Sequence, residues 1–159
     1  MIAPNLRVLF VGINPGVYST ARRHHFARPG NRFWPALWRA GLTPQLLSPA
    51  QDRSLLALGL GLTNLVPRTT ARAEELGLDE LRAGARALEC KLRHFRPAVV
   101  ACLGITAYRV AFERPKASLG LQPEPLAGVR LFVLPNPSGL NAHHQLPELA
   151  RRFAEVVAR

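Results

Sequence analysis

Four short apolar runs, at residues 7–13, 60–66, 98–103 and 129–134, punctuate the chain and set the terms for any fold it can adopt. Each has the length of a strand. Each is mainly apolar at successive positions instead of alternating, the pattern of a strand covered on both faces. Between them, apolar side chains recur at helical spacing: Phe33, Leu37 and Trp38; Leu55, Leu56 and Leu58; and Leu81, Ala85, Leu88, Leu92 and Phe95. The last set forms one continuous stripe. Another helix is predicted after Gly104, carrying Tyr108 and Phe112, and a final one near Pro147, burying Leu149, Phe153 and Val156 or Val157. Strands alternating with helices predict an α/β fold with a mainly parallel sheet and helices on both of its faces. With 159 residues, no internal repeat, and Pro and Gly spread along the length, residues 1–159 read as a single domain.

In such a sheet, ligands bind beyond the carboxyl ends of the strands, so the residues leaving each strand are the ones to read for chemistry. They are Asn14-Pro15-Gly16, then Thr63-Asn64-Leu65-Val66-Pro67, then Gly104, and last Pro135-Asn136-Pro137-Ser138-Gly139-Leu140-Asn141. The first loop turns sharply and holds an uncharged amide at its mouth; an ordinary strand-end turn is the alternative. The last is stiffened by two prolines and exposes Leu140 between small or polar neighbours. In a basic protein such a side chain can act as a wedge between base steps, or it can tuck under its own loop. No Gly-x-x-x-x-Gly-Lys phosphate loop occurs, and Gly59-Leu60-Gly61 lacks the third glycine of a dinucleotide fingerprint.

Nineteen Arg and two Lys stand against ten acidic residues, a net charge of +11. No acid precedes Asp52, whereas Arg7, Arg22, Arg23, Arg28, Arg32 and Arg39 all do. A nucleic-acid partner is the natural reading; arginine used as generic surface charge is the other. No stretch approaches the roughly eighteen apolar residues of a membrane span, and the first residues lack the pattern of a secretory signal, so a cytoplasmic location is expected. Two cysteines, Cys90 and Cys102, exclude a disulfide framework and a cluster held by four thiolates of this chain. The His24-His25 and His143-His144 pairs do not have metal-ligand spacing, and neither a metal nor a cofactor is expected.

Gly12-Ile13-Asn14-Pro15-Gly16, then Ala27-Arg28-Pro29-Gly30-Asn31-Arg32-Phe33-Trp34, and later Leu134-Pro135-Asn136-Pro137-Ser138-Gly139-Leu140-Asn141 together resemble the mismatch-specific uracil-DNA glycosylase (Mug) and thymine-DNA glycosylase family. The resemblance runs in order along nearly the whole chain. It implies a three-layer sandwich with a short, mainly parallel four- or five-stranded sheet between helices. It also implies monofunctional hydrolysis of the N-glycosidic bond of a flipped uracil or related base opposite guanine, on double-stranded DNA with G:U-type mismatches, by a monomer. Asn14 matches the amide that holds the attacking water, and Phe26 the aromatic on which the extruded base stacks. Ile13 and Ser19 match pocket positions, to which His25 and Asn136 are added. Gly139 and Leu140, with Asn141, match the wedge. His24-His25-Phe26 is closer to the thymine-glycosylase pattern, Asn64 stands where bacterial relatives have Lys, and Asn141-Ala142 replace a familiar Ser-Arg.

Arg22, Arg23 and Arg28, with Asn64, are assigned to the DNA backbone, and Arg32 is expected to join the arginines there. An amide can orient water but not deprotonate it, so a carboxylate is sought. Asp52 and Asp79 are the only aspartates. Asp79 opens the helix of the long stripe, as a general base or as its N-cap. The only lysines are Lys91, predicted on the charged side of a helix, and Lys116, in a Pro-flanked loop, so no Schiff base is expected. A non-catalytic binder of single-stranded or mismatched DNA, using the same Phe and basic face, is the alternative function.

Overall fold

The structure, a computed structural model, describes residues 1–158. Five strands build one sheet: β1 (Val8–Gly12), β2 (Leu60–Asn64), β3 (Val99–Leu103), β4 (Gly120–Leu121) and β5 (Arg130–Leu134). Their order is β2-β1-β3-β5-β4, parallel throughout except for β4, which runs antiparallel to β5. Six helices surround it: α1 (Val17–Arg22), α2 (Phe33–Arg39), α3 (Ser54–Ala57), α4 (Leu78–Phe95), α5 (Ile105–Ala111) and α6 (Leu146–Glu155). The four long strands fall within the four apolar runs. The pair β4 and α1 has no counterpart in the predicted elements.

Successive side chains of a strand point to opposite faces, and here both faces are covered. Val8 and Phe10 of β1 join Leu60, Leu62, Ala101 and Phe132 in a core closed by α2, α3 and α6, whereas Leu9 and Val11 join Val100, Cys102 and Val133 under α4 and α5. That is why successive positions within the runs are apolar instead of alternating. The stripe on α4 buries Leu81, Ala85, Leu88 and Leu92. On α6, Val156 is buried and Val157 exposed. Trp38, expected on the inner face of α2, is exposed: Phe33, Trp34, Ala36 and Leu37 already fill the buried side of that seven-residue helix.

Two expectations at α4 are corrected. Its N-cap position is Gly77, not Asp79, and the capping carboxylate is Glu80, whose Oε2 accepts the Gly77 N–H at 2.8 Å. Glu80 also pairs with Arg68 at 2.6 Å, and these bonds hold its carboxyl down to about 2. Lys91 is half-buried instead of on the charged side: its Nζ donates to Thr63 Oγ1 at 3.0 Å, its stem covering the edge of β2. Among the described residues no helix is long and apolar enough to cross a membrane.

Candidate active site

From β1 the chain travels first to β2 on one side and later to β3 on the other, so the sheet changes winding direction between β1 and β3. The carboxyl ends of two such strands diverge and leave a crevice. Asn14, two residues beyond β1, stands there. Its Nδ2 donates to the Arg68 carbonyl and to Thr70 Oγ1, each at 2.8 Å, and Thr70 Oγ1 donates onward to the Arg72 carbonyl at 2.7 Å. Both amide hydrogens are spent on the 68–72 segment. Oδ1 has no partner within the described residues, so the amide is oriented as an acceptor.

Neighbouring strand ends close around this point. Gly104, after β3, has φ +114°, a conformation that side chains rarely adopt, and a Cβ there would stand 3.1 Å from Ile13 Cδ1 and 3.9 Å from Asn136 Cβ. Ile13 and Asn136 therefore both border the space that Gly104 leaves open. Asn136 Oδ1 accepts the Ser138 N–H at 3.0 Å, which leaves its Nδ2 without a partner among the described residues. On the other side, a Cβ at Gly12 would come within 2.7 Å of Asn64 Oδ1 and 3.3 Å of the Phe26 ring. The missing side chain makes room for both. Asn64, expected on the DNA backbone, is instead half-buried against Gly12 and Phe26, because it ends β2 in register with Gly12.

Phe26 is held by its neighbours in the chain and by Phe33. Its backbone has φ +51°, uncommon for an aromatic residue. The flanking amides are anchored: His25 N–H donates to the buried Asp52 carboxylate at 3.3 Å, and Ala27 N–H to Ser19 Oγ at 3.0 Å. Phe26's own N–H has no partner among the described residues. Asp52 Oδ2 also lies 3.4 Å from His24 Nδ1, and burial lowers the His25 pKa from 6.5. Each residue of Asn31-Arg32-Phe33-Trp34 has a local task. Asn31 Oδ1 accepts the Phe33 N–H at 2.9 Å and so caps the start of α2; the Phe33 ring stacks on Phe26 at 4.2 Å; Trp34 Nε1 donates to the His25 carbonyl at 3.3 Å. Arg32 turns away from the surface and donates to the carbonyls of Ser138, Asn141 and His144. Its expected place among the phosphate-binding arginines is corrected, since both terminal amino groups are engaged inside the protein and its Nε is buried without a partner among the described residues.

Leu140 is 72% exposed, which removes the tucked-under alternative. Asn141 does not stand beside it as a wedge: its Nδ2 donates to the Asn136 carbonyl at 3.0 Å and its Oδ1 accepts the His143 N–H, so the side chain folds inward. Arg22, Arg23 and Arg28 are exposed, Arg22 lying over the Tyr18 ring. Asp79 is exposed, with no hydrogen bond or ion pair among the described residues, and is not joined to Asn14 by any contact of that kind. The sequence reading missed the tethers Thr70 and Asp52. The signal for Asp52 was its isolation as the first acid in an arginine-rich segment; hydroxyls in a loop leaving β2 were a weaker one for Thr70.

Of two surface grooves, one reaches this constellation at Phe26 and the other shares no residue with it. One, of about 390 Å³, runs along Phe26, Arg28, Trp34 and Leu47; the other, of about 450 Å³, lies between α4 and α5 at Arg82 and Arg109. Among the described residues no three His, Cys, Asp or Glu side chains cluster as metal ligands. A family model described as the uracil DNA glycosylase superfamily matches residues 1–158.

Proposed function

The chain belongs to the uracil DNA glycosylase superfamily, whose members are DNA glycosylases, and we propose that it is a monofunctional, mismatch-directed enzyme of the Mug and thymine-DNA glycosylase kind. It hydrolyses the bond between C1′ and the base of a uracil opposite guanine and leaves an abasic site. The observation that carries this reading is Asn14, its two amide hydrogens pinned by Arg68 and Thr70 so that Oδ1 alone is left to accept a hydrogen bond.

A base inside a duplex is out of reach of water, so it must be extruded, stacked and replaced. Phe26 supplies the stacking face, with Phe33 behind it and Asn64 sharing the space over Gly12, while Ile13 and Asn136 stand together at Gly104. Leu140, exposed on its loop, fills the vacated space. As the C1′–N1 bond breaks, its electron pair leaves with uracil and the sugar becomes oxocarbenium-like. The free Phe26 N–H, on a backbone fixed by Asp52 and Ser19, is a preorganised donor toward the charge on the base. Water held by Asn14 Oδ1 adds to C1′ through its oxygen. Its proton passes to solvent or to the departing uracil anion, because an amide does not accept it. Lys91, engaged with Thr63, is not offered as a Schiff-base nucleophile, so a borohydride-trapped adduct with DNA is not expected.

The test is an abasic-site assay on a duplex with one uracil opposite guanine. Wild-type protein is expected to yield alkali-labile product. Asn14→Ala should abolish it while retaining binding to abasic DNA. Duplex binding by wild-type protein with no product on any uracil substrate would replace the enzyme by a non-catalytic binder.

A further inference from the structure

We propose that Arg32 is the positioning residue of the wedge: an internal clamp that holds the 137–144 loop in the shape that presents Leu140, with its charge withheld from DNA phosphate. The proposal rests on the reading of Leu140 as the wedge. Four carbonyls along that loop converge on this one residue. The Arg32 backbone N–H donates to Pro137 O at 2.9 Å, and its guanidinium donates to the carbonyls of Ser138, Asn141 and His144.

No strand or helix covers residues 135–145, and after Pro137 no further proline stiffens the chain until Pro147. The loop's internal bonds are local: Ser138 N–H to Asn136 Oδ1, Leu140 N–H to Ser138 Oγ, Asn141 N–H to Ser138 O, Asn141 Nδ2 to Asn136 O and His143 N–H to Asn141 Oδ1, all at 3.0–3.2 Å, and none of them reaches outside the loop. Arg32 supplies the tie to the body of the protein, from the capped and buried start of α2. A second contact follows from the same tie, because a Cβ on Gly139 would stand 2.7 Å from the Gly30 carbonyl oxygen. The loop lies flush on residues 30–32, with Leu140 beyond the contact.

The chemistry suits arginine. A planar guanidinium has five donors in a fixed fork, which can serve several carbonyls at once, whereas a lysine ammonium is a compact point charge without that geometry. A preordered loop also spares the wedge the ordering cost that a mobile one meets on binding. Arg28 is the contrast: close in sequence, equally charged, but exposed.

Arg32→Gln and Arg32→Lys are compared with wild type on uracil opposite guanine in duplex DNA and on uracil in single-stranded DNA, where there is no stack to fill. The expected result for Arg32→Gln is a loss of about tenfold or more in single-turnover rate on duplex, against less than about twofold on single strands. Arg32→Lys should restore little of it. In a Leu140→Ala background the Arg32→Gln loss should vanish, since there is no wedge left to position. The slope of log K against log salt on duplex DNA should stay unchanged in Arg32→Gln and fall by about 0.9 in Arg28→Gln, whose glutamine no longer neutralises a phosphate. A slope that falls equally in both variants overturns the proposal, as does an equal loss on both substrates. Hydrogen exchange keeps the two readings separable: Arg32→Gln should deprotect the Asn141 and His143 amides whether or not the protein excises uracil. Unchanged protection in a folded Arg32→Gln or Arg32→Lys variant overturns the clamp. Absence of excision in wild type overturns only the function assigned above.

Discussion

Asn14 has two chemically different ends, and its neighbours decide which one faces the reaction. With Arg68 O and Thr70 Oγ1 taking Nδ2, only the carbonyl oxygen remains for water. Thr70→Val removes one of these two acceptors from a buried position while keeping the side chain's shape. Leaving a polar group unpaired costs about 1–3 kcal/mol, and a tilted amide holds water off line. The expected outcome is a roughly tenfold or greater fall in single-turnover rate with binding to abasic DNA nearly unchanged; equal activity would detach Thr70 from the site. His25 gives a pH signature. Burial depresses its folded pKa below 6.5, so the unfolded chain binds the proton more readily. The stability contributed by neutral His25 is complete above 6.5 and is lost as pH falls through the lowered folded value. Melting curves from pH 7.5 downward should lose stability in wild type, and His25→Asn should flatten that slope.

One aromatic relay connects the elements. Phe10 of β1 packs between Phe153 of α6 at 5.6 Å and Phe33 of α2 at 5.5 Å, and Phe33 stacks on Phe26 at 4.2 Å. The ring proposed to receive the base is thus the outer end of a stack rooted in the core. Phe33→Leu keeps an apolar residue but removes several aromatic pairs, each worth about 0.5–1.5 kcal/mol. A drop of several degrees in melting temperature is expected, with a further loss of excision that added Phe26→Ala does not deepen; additive losses would mean that Phe33 acts only on stability. The long strands and α4 could be read from the chain because burial on two faces, or on one helical stripe, writes itself into apolar spacing. Helix α1 could not, since Val17–Arg22 buries nothing, and β4 is two residues long. The strand-end loops were legible as a site because the topology places them together. The work of Arg32 was not: in sequence, a guanidinium donating to three carbonyls looks the same as one that awaits a phosphate.

For the whole molecule, a net charge of +11 matters less than where the acids sit. Outside the first third, six arginines are ion-paired, Arg68 with Glu80, Arg82 with Glu113, Arg93 with Glu89, Arg114 with Glu124, and Arg151 and Arg152 with Glu148 and Glu155, whereas Arg72, Arg86, Arg96, Arg109 and Arg130 make no ion pair among the described residues. In the first third the sole nearby acid is Asp52, which is buried on the His24-His25 turn. Arg22, Arg23 and Arg28 make no ion pair among the described residues, and they lie on the segment that leaves β1 beside Asn14. These three arginines place uncompensated positive charge on the segment beside the proposed reaction centre, where it would steer and hold a polyanion. Each phosphate neutralised releases condensed counterions, which contributes about −0.9 to the slope of log K against log salt. Replacing Arg22, Arg23 and Arg28 together by Gln should flatten that slope by about 2–3 on duplex DNA. Replacing Arg82, Arg93 and Arg114, which removes the same formal charge, should leave it nearly unchanged. Equal flattening in the two triple variants would mean that net charge alone governs binding, and the acid-free third would lose its standing as the DNA-facing side.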